Sequence, residues 1–133
     1  MAETKRRGSI AELAVLRVAV ERGYRVAIPY GEDAPYDLIV ERGGKLERVQ
    51  CKYVRSDGRV IEVRCTSTNN WRTHRYTDHE IGWIATYDVT TDLCYFVPSS
   101  MIGDGKSIMH LRLDNARNNQ TLRTRRAADF LAW

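Results

Sequence analysis

Two short apolar runs, Tyr36 to Glu41 and Leu46 to Val54, stand on either side of Gly43-Gly44. Runs of this length joined by a Gly-Gly pair form a β-hairpin, because the tight turn needs positive φ angles that glycine adopts without steric cost. The hairpin constrains the rest of the chain. Side chains alternate faces along a strand, so Gln50 and Lys52 share one face. The antiparallel return brings Asp37, at the start of the first strand, close to both. Polar groups thus converge where a strand pair would ordinarily be apolar.

The flanking sequence supplies the layers. Ser9 to Arg22 carries Ile10, Leu13, Ala14, Ala19 and Val20 at helical spacing, with few polar side chains, and Gly23 is placed to cap its C-terminus. Such a helix is expected to be largely buried. Further strands are predicted at Tyr24 to Ile28, Val60 to Cys65, Ile81 to Tyr87, Leu93 to Val97 and Ile108 to Leu113, separated by turn signals such as Asp57-Gly58. Thr66 to Glu80 is polar and reads as a loop with room for a helical turn. Arg117 to Leu131 reads as a final helix. The order implies an α/β fold, a central mixed β-sheet flanked by helices, in one domain spanning 1–133.

Composition narrows the function classes. Hydrophobic residues make up 43% of the chain, which suffices for one core. No apolar run approaches a membrane span, and the polar, basic start (Met1 to Arg7) is not a secretory signal, so a cytoplasmic location is expected. Cys51, Cys65 and Cys94 are odd in number and widely spaced, which is neither a disulfide framework nor a zinc site. They are expected to be reduced and buried. The excess of 21 Lys+Arg over 17 Asp+Glu is compatible with a polyanionic partner.

Glu12 is an acid within an otherwise apolar helix. With Asp37, Gln50 and Lys52 it forms a constellation whose burial calls for a compensating ion. Magnesium suits these donors: it takes hard oxygen ligands and keeps several waters. Asp37 can bind it directly, Gln50 can offer its amide oxygen, and the Cys51 carbonyl lies between Gln50 and Lys52. Glu12 can hold a second ion or an ion-bound water, and Lys52 can stabilise a phosphorane or orient the attacking water. Plainer readings exist. Ser9-Ile10-Ala11-Glu12 also matches a capping box. Asp37 can serve the Gly31 to Pro35 loop, and Gln50 and Lys52 can lie on the solvated face of an edge strand.

The set Glu12, Pro35-Tyr36-Asp37 and Gln50-Cys51-Lys52, with Gly23-Tyr24-Arg25-Val26 after the first helix, resembles the PD-(D/E)XK nuclease superfamily. It is most similar to the intron-encoded homing endonucleases of that fold, which also carry Gln in place of the acid. The resemblance implies a restriction-endonuclease-like core and a magnesium-dependent, sequence-specific endonuclease acting on double-stranded DNA. It also implies a homo-oligomer, dimer or tetramer, with one active site per strand cut. One residue more than the usual pattern separates Pro35 from Asp37, and Gln50 removes one negative charge from the ion site. A junction resolvase, a repair or restriction-type nuclease, or a DNA-binding module with weakened catalysis are the alternatives on the same scaffold.

Two basic clusters are candidate DNA contacts. Arg72, His74 and Arg75, with Trp71 and Tyr76, can meet phosphates and stack on bases. Arg117, Arg123, Arg125 and Arg126 can follow the backbone from the final helix, although a solvated charged face explains them equally. Gly105-Lys106-Ser107 is not a phosphate-binding loop, because Ser100 stands where the pattern needs glycine and a strand follows.

Overall fold

The computed structural model describes residues 2–31, 33–69, 72–75, 81–102, 107–114 and 125–133. Helix α1 runs from Glu3 to Glu21. It starts well before Ser9, because Glu3 sits in the first turn, where a negative charge meets the positive helix end, and pairs with Arg6 at 3.0 Å and Arg7 at 3.1 Å. Ser9 therefore lies inside the helix, and the capping-box reading is excluded. The helix ends as expected at Gly23 (φ +81°): Tyr24 N–H bonds the Ala19 carbonyl at 2.9 Å and Gly23 N–H that of Val20 at 3.0 Å. The expectation of a helix buried on most sides is overturned. Only Ala11, Val15 and Ala19 are buried, whereas Leu13 (63%) and Val20 (61%) are exposed. The helix lies on a sheet and offers it a single stripe.

Strands β1 (Arg25–Ala27), β2 (Leu38–Arg42), β3 (Lys45–Val54), β7 (Trp83–Asp88) and β8 (Leu93–Pro98) form one sheet in the order β1-β2-β3-β7-β8. All neighbours are antiparallel except β3 and β7, so the sheet is mixed. The Gly43-Gly44 turn is present, with φ +59° and +77°. Glu47 ties this hairpin to β7: it accepts from Arg42 Nε at 2.8 Å and Trp83 Nε1 at 2.6 Å.

The two faces of the sheet are covered differently. Leu38, Val40, Val49, Cys51, Ala85, Tyr87 and Phe96 pack beneath Ala11 and Val15 of α1. Ile84, Tyr95 and Val97 face the other way, against Ile61 and Val63 of β4 (Val60–Arg64) and Met109 and Leu111 of β9 (Ile108–Arg112). All three cysteines are buried, as expected. No helix among the described residues is long and apolar enough to cross a membrane.

Two expectations are corrected. Thr66 to Glu80 is not simply a loop: β5 (Thr66–Asn69) and β6 (Arg72–Arg75) pair antiparallel, with Thr68 opposite Thr73. β-branched threonine favours a strand even where the segment is polar. The expected final helix is absent over 125–131. Arg126 forms a bridge with Arg112, and Ala127–Phe130 is a 3₁₀ turn whose Ala127 and Phe130 enter the core. The apolar positions Leu122, Ala127 and Leu131, five and four residues apart, are too sparse to hold an α-helix against that burial. The chain end is pinned by Trp133, which stacks on Phe96 at 4.3 Å and whose carbonyl accepts from Tyr24 Oη at 2.9 Å.

Asp88, at the end of β7, is fully buried. Its carboxylate accepts from Ser56 N–H at 2.9 Å, Ser56 Oγ at 2.8 Å and Thr91 Oγ1 at 2.8 Å. Burial opposes ionisation, but these bonds outweigh it and hold the carboxyl below its ordinary range. The network fixes the turn that leads from β3 to β4.

Candidate active site

The site lies where β2 begins. Upstream of Leu38 the chain leaves the regular ladder, so the Cys51 end of β3 has no β2 partner in strand conformation. Asp37 fills the gap. Its N–H bonds the Val49 carbonyl at 2.9 Å, and its Oδ2 accepts from the Cys51 N–H at 2.9 Å. The carboxylate is thereby set in the sheet plane beside β3 and does not serve the Gly31 to Pro35 loop. The N–H and C=O of a strand residue point to the same edge. The Cys51 carbonyl therefore faces the same gap, and Pro35, just upstream, has no N–H to offer it.

Glu12 reaches this point from α1. Its carboxyl is pushed up to about 7, first by burial, then by the charge of Asp37 and a hydrogen bond with it. The Cys51 thiol, between the same groups, is raised well above its ordinary value by burial and by the Asp37 and Glu12 charges. It is a neutral thiol at physiological pH, so the main-chain carbonyl is what Cys51 can offer a hard cation. Two carboxyl groups and a carbonyl thus meet at a point where the Asp37 charge disfavours ionisation of Glu12. A divalent cation relieves that conflict, and the oxygen donors suit magnesium.

Gln50 and Lys52 lie on β3 with their partners Ile84 and Thr86 on β7. Because Val49 and Cys51 face α1, alternation directs Gln50 and Lys52 to the opposite face. β3 is an interior strand, so the edge-strand reading is excluded. Lys52 Nζ donates to the Thr66 carbonyl at 3.1 Å, at the first residue of β5. The structure therefore brings Glu12, Asp37 and Cys51 together directly, while Gln50 and Lys52 flank them from the other side of β3. Among the described residues no three His, Cys, Asp or Glu side chains gather as a metal cluster; the groups brought together here are the Glu12 and Asp37 carboxyls and the main chain of Cys51.

Of the candidate DNA contacts, Arg72, His74 and Arg75 lie on β6, and Trp71 lies outside the described residues, as do Tyr76, Arg117 and Arg123. Arg126 is exposed. Arg125 is partly buried, and lines an open cavity of about 470 Å³ with Trp83, Phe96, Met101 and Phe130. It is not on a solvated helix face. Sequence reasoning missed the Thr66 carbonyl, since a main-chain acceptor leaves no mark in residue type. It also passed over Thr86, which reads as an ordinary strand residue.

The sequence pattern of the PD-(D/E)XK endonuclease family matches residues 2–133. Among solved structures, the bacterial homing endonuclease I-Ssp6803I is similar at 25% identity and a TM-score of 0.70; the match covers 97% of this chain and 88% of that one. No curated protein matches the chain by sequence.

Proposed function

The chain belongs to the PD-(D/E)XK endonuclease family, and from that premise we propose that it is a magnesium-dependent, sequence-specific endonuclease of homing type acting on double-stranded DNA. The observation that carries this reading is the Asp37 carboxylate, anchored on the Cys51 N–H at 2.9 Å beside a Glu12 carboxyl held near 7.

In this reading Asp37, the Gln50 amide oxygen and the Cys51 carbonyl hold Mg2+, and Glu12 holds a second ion or an ion-bound water. Such an ion would neutralise phosphate charge and lower the pKa of a bound water. Asp37 is oriented by the Cys51 N–H before substrate arrives, so its carboxylate needs no reorganisation. Gln50 contributes an acceptor without charge. Lys52 provides a cation on the Gln50 side of β3, where it stabilises the charge that develops on the phosphate oxygens. Hydrolysis forms a P–O bond to the attacking water and breaks the P–O bond opposite it; the water's proton passes to bulk solvent, and the leaving oxygen takes a proton from solvent in turn.

The β5–β6 hairpin starts at Thr66, the residue whose carbonyl Lys52 contacts. Arg72, His74 and Arg75, with Trp71, are proposed to contact DNA phosphates, and the same role is proposed for Arg117, Arg123, Arg125 and Arg126. The protein works in the cytoplasm as a homo-oligomer, with one site for each strand.

Incubation with a mixed DNA library in Mg2+, followed by sequencing of the cut ends, identifies the target duplex. On that duplex, Asp37→Ala and Lys52→Ala are expected to abolish cleavage in Mg2+ while leaving binding in Ca2+ largely intact. Cutting by both variants at the wild-type rate refutes the site.

A further inference from the structure

Thr86 is fully buried in β7, and its Oγ1 has no hydrogen-bond partner among the described residues. A buried hydroxyl in this state opposes folding, because it loses its bonds to water and gains none. Valine has nearly the same shape, favours strands equally and carries no such cost. A polar atom retained under these conditions calls for an explanation outside the core.

Its place in the sheet supplies one. Thr86 pairs with Lys52 of β3 on one side and Tyr95 of β8 on the other. Tyr95 Oη already lies 3.1 Å from Thr91 Oγ1. Lys52 is the cross-strand neighbour whose side chain leaves the sheet on the same face as Thr86. Its ammonium has three donors, of which the bond to the Thr66 carbonyl uses one.

We infer that Thr86 is a positioning residue for Lys52: its Oγ1 accepts a hydrogen bond from the ammonium, directly or through one water, when the lysine addresses the scissile phosphate. The inference rests on the reading of Lys52 as the catalytic cation and adds a residue to it. Thr86 touches neither substrate nor metal ion. It limits the directions in which the ammonium can point, and a misdirected charge slows cleavage without weakening DNA binding. Retaining the hydroxyl is then a case of fold stability given up for activity.

The test compares wild type, Thr86→Val, Thr86→Ser and Lys52→Ala, all as full chains, on the target duplex. Three quantities are read: the cleavage rate at saturating DNA in Mg2+, DNA affinity in Ca2+, and the midpoint of thermal unfolding. Thr86→Val is expected to cut at least tenfold more slowly, bind DNA within twofold of wild type, and melt at the same or a higher temperature. Thr86→Ser, which restores the hydroxyl, is expected to cut within threefold of wild type. Cleavage by Thr86→Val at the wild-type rate overturns the inference. So does a lowered melting temperature in that variant, which would make the hydroxyl a structural group. If Thr86→Val is active while Lys52→Ala is dead, only the role of Thr86 falls. If Lys52→Ala also cuts normally, the reading of Lys52 falls and takes this inference with it.

Discussion

Replacing Glu12 with Gln removes an ionisable group from beside Asp37 and leaves the shape of the site almost unchanged. The Glu12 carboxyl is raised from 4.5 to about 7, a difference that corresponds to about 3 kcal/mol between its two protonation states. Glu12 is only partly buried, and solvent screening reduces the usable part to about 1–2 kcal/mol. The sign follows from linkage. A carboxyl whose folded value is raised favours folding fully below its unfolded value, near pH 4.5, and loses that contribution as pH rises through about 7. Wild type without metal should therefore lose stability relative to Glu12→Gln between pH 4.5 and 7, and then stay level. At pH 8 the variant should melt about 4–8 °C higher than wild type, and at pH 4.5 the two should nearly coincide. Magnesium favours the ionised carboxylates, so it should recover more of the loss in wild type than in the variant at pH 8. Thermal unfolding across this pH range, with Mg2+ and with a chelator, measures all of these effects. A difference between the two proteins that does not change with pH would refute the claim that Glu12 and Asp37 share one pocket.

Three further outcomes follow from the same structure. Gln50→Glu adds a negative charge to the ion site, and the Mg2+ concentration for half-maximal cleavage should fall about tenfold, the equivalent of ~1.4 kcal/mol; an inactive wild type with an active Gln50→Glu would instead identify a weakened DNA-binding module. Asp88→Asn replaces an acceptor of several hydrogen bonds with a group that is half donor, and should cost about 2–4 kcal/mol of stability in chemical unfolding at neutral pH. Because Asp88 is held below its ordinary value, that cost should be present above about pH 4 and shrink as the pH falls further; an equal cost at pH 3 and pH 7 would contradict the assignment. Arg72→Ala combined with Arg75→Ala should lower the salt dependence of DNA binding by about two phosphate contacts, read as the slope of log affinity against log salt; an unchanged slope would remove the β5–β6 hairpin from the interface.

Local signals along the chain determined most of the elements. Gly43-Gly44 between two apolar runs specified the hairpin, and with it the placing of Asp37 against the Val49 to Cys51 stretch of β3, because a two-residue turn leaves almost no freedom of register. Gly23 marked the end of α1 for an equally local reason, since only glycine readily adopts the positive φ found there. The chain order of helix and strands was enough for a mixed sheet with a helix on it, and the residues around Glu12, Asp37, Gln50 and Lys52 carried the family. Other features were decided by partners distant in sequence. The start of α1 at Glu3 depends on charge pairs, the β5–β6 pairing on cross-strand contacts, and the 3₁₀ turn at Ala127–Phe130 on burial against β4, β8 and β9. The site divides in the same way. Residue types name the donors, but the Cys51 N–H that orients Asp37, the Thr66 carbonyl that meets Lys52 and the burial of Thr86 exist only once β3 lies between β2 and β7. Main-chain groups and burial have no letter in the sequence, and the packed sheet alone brings them to bear.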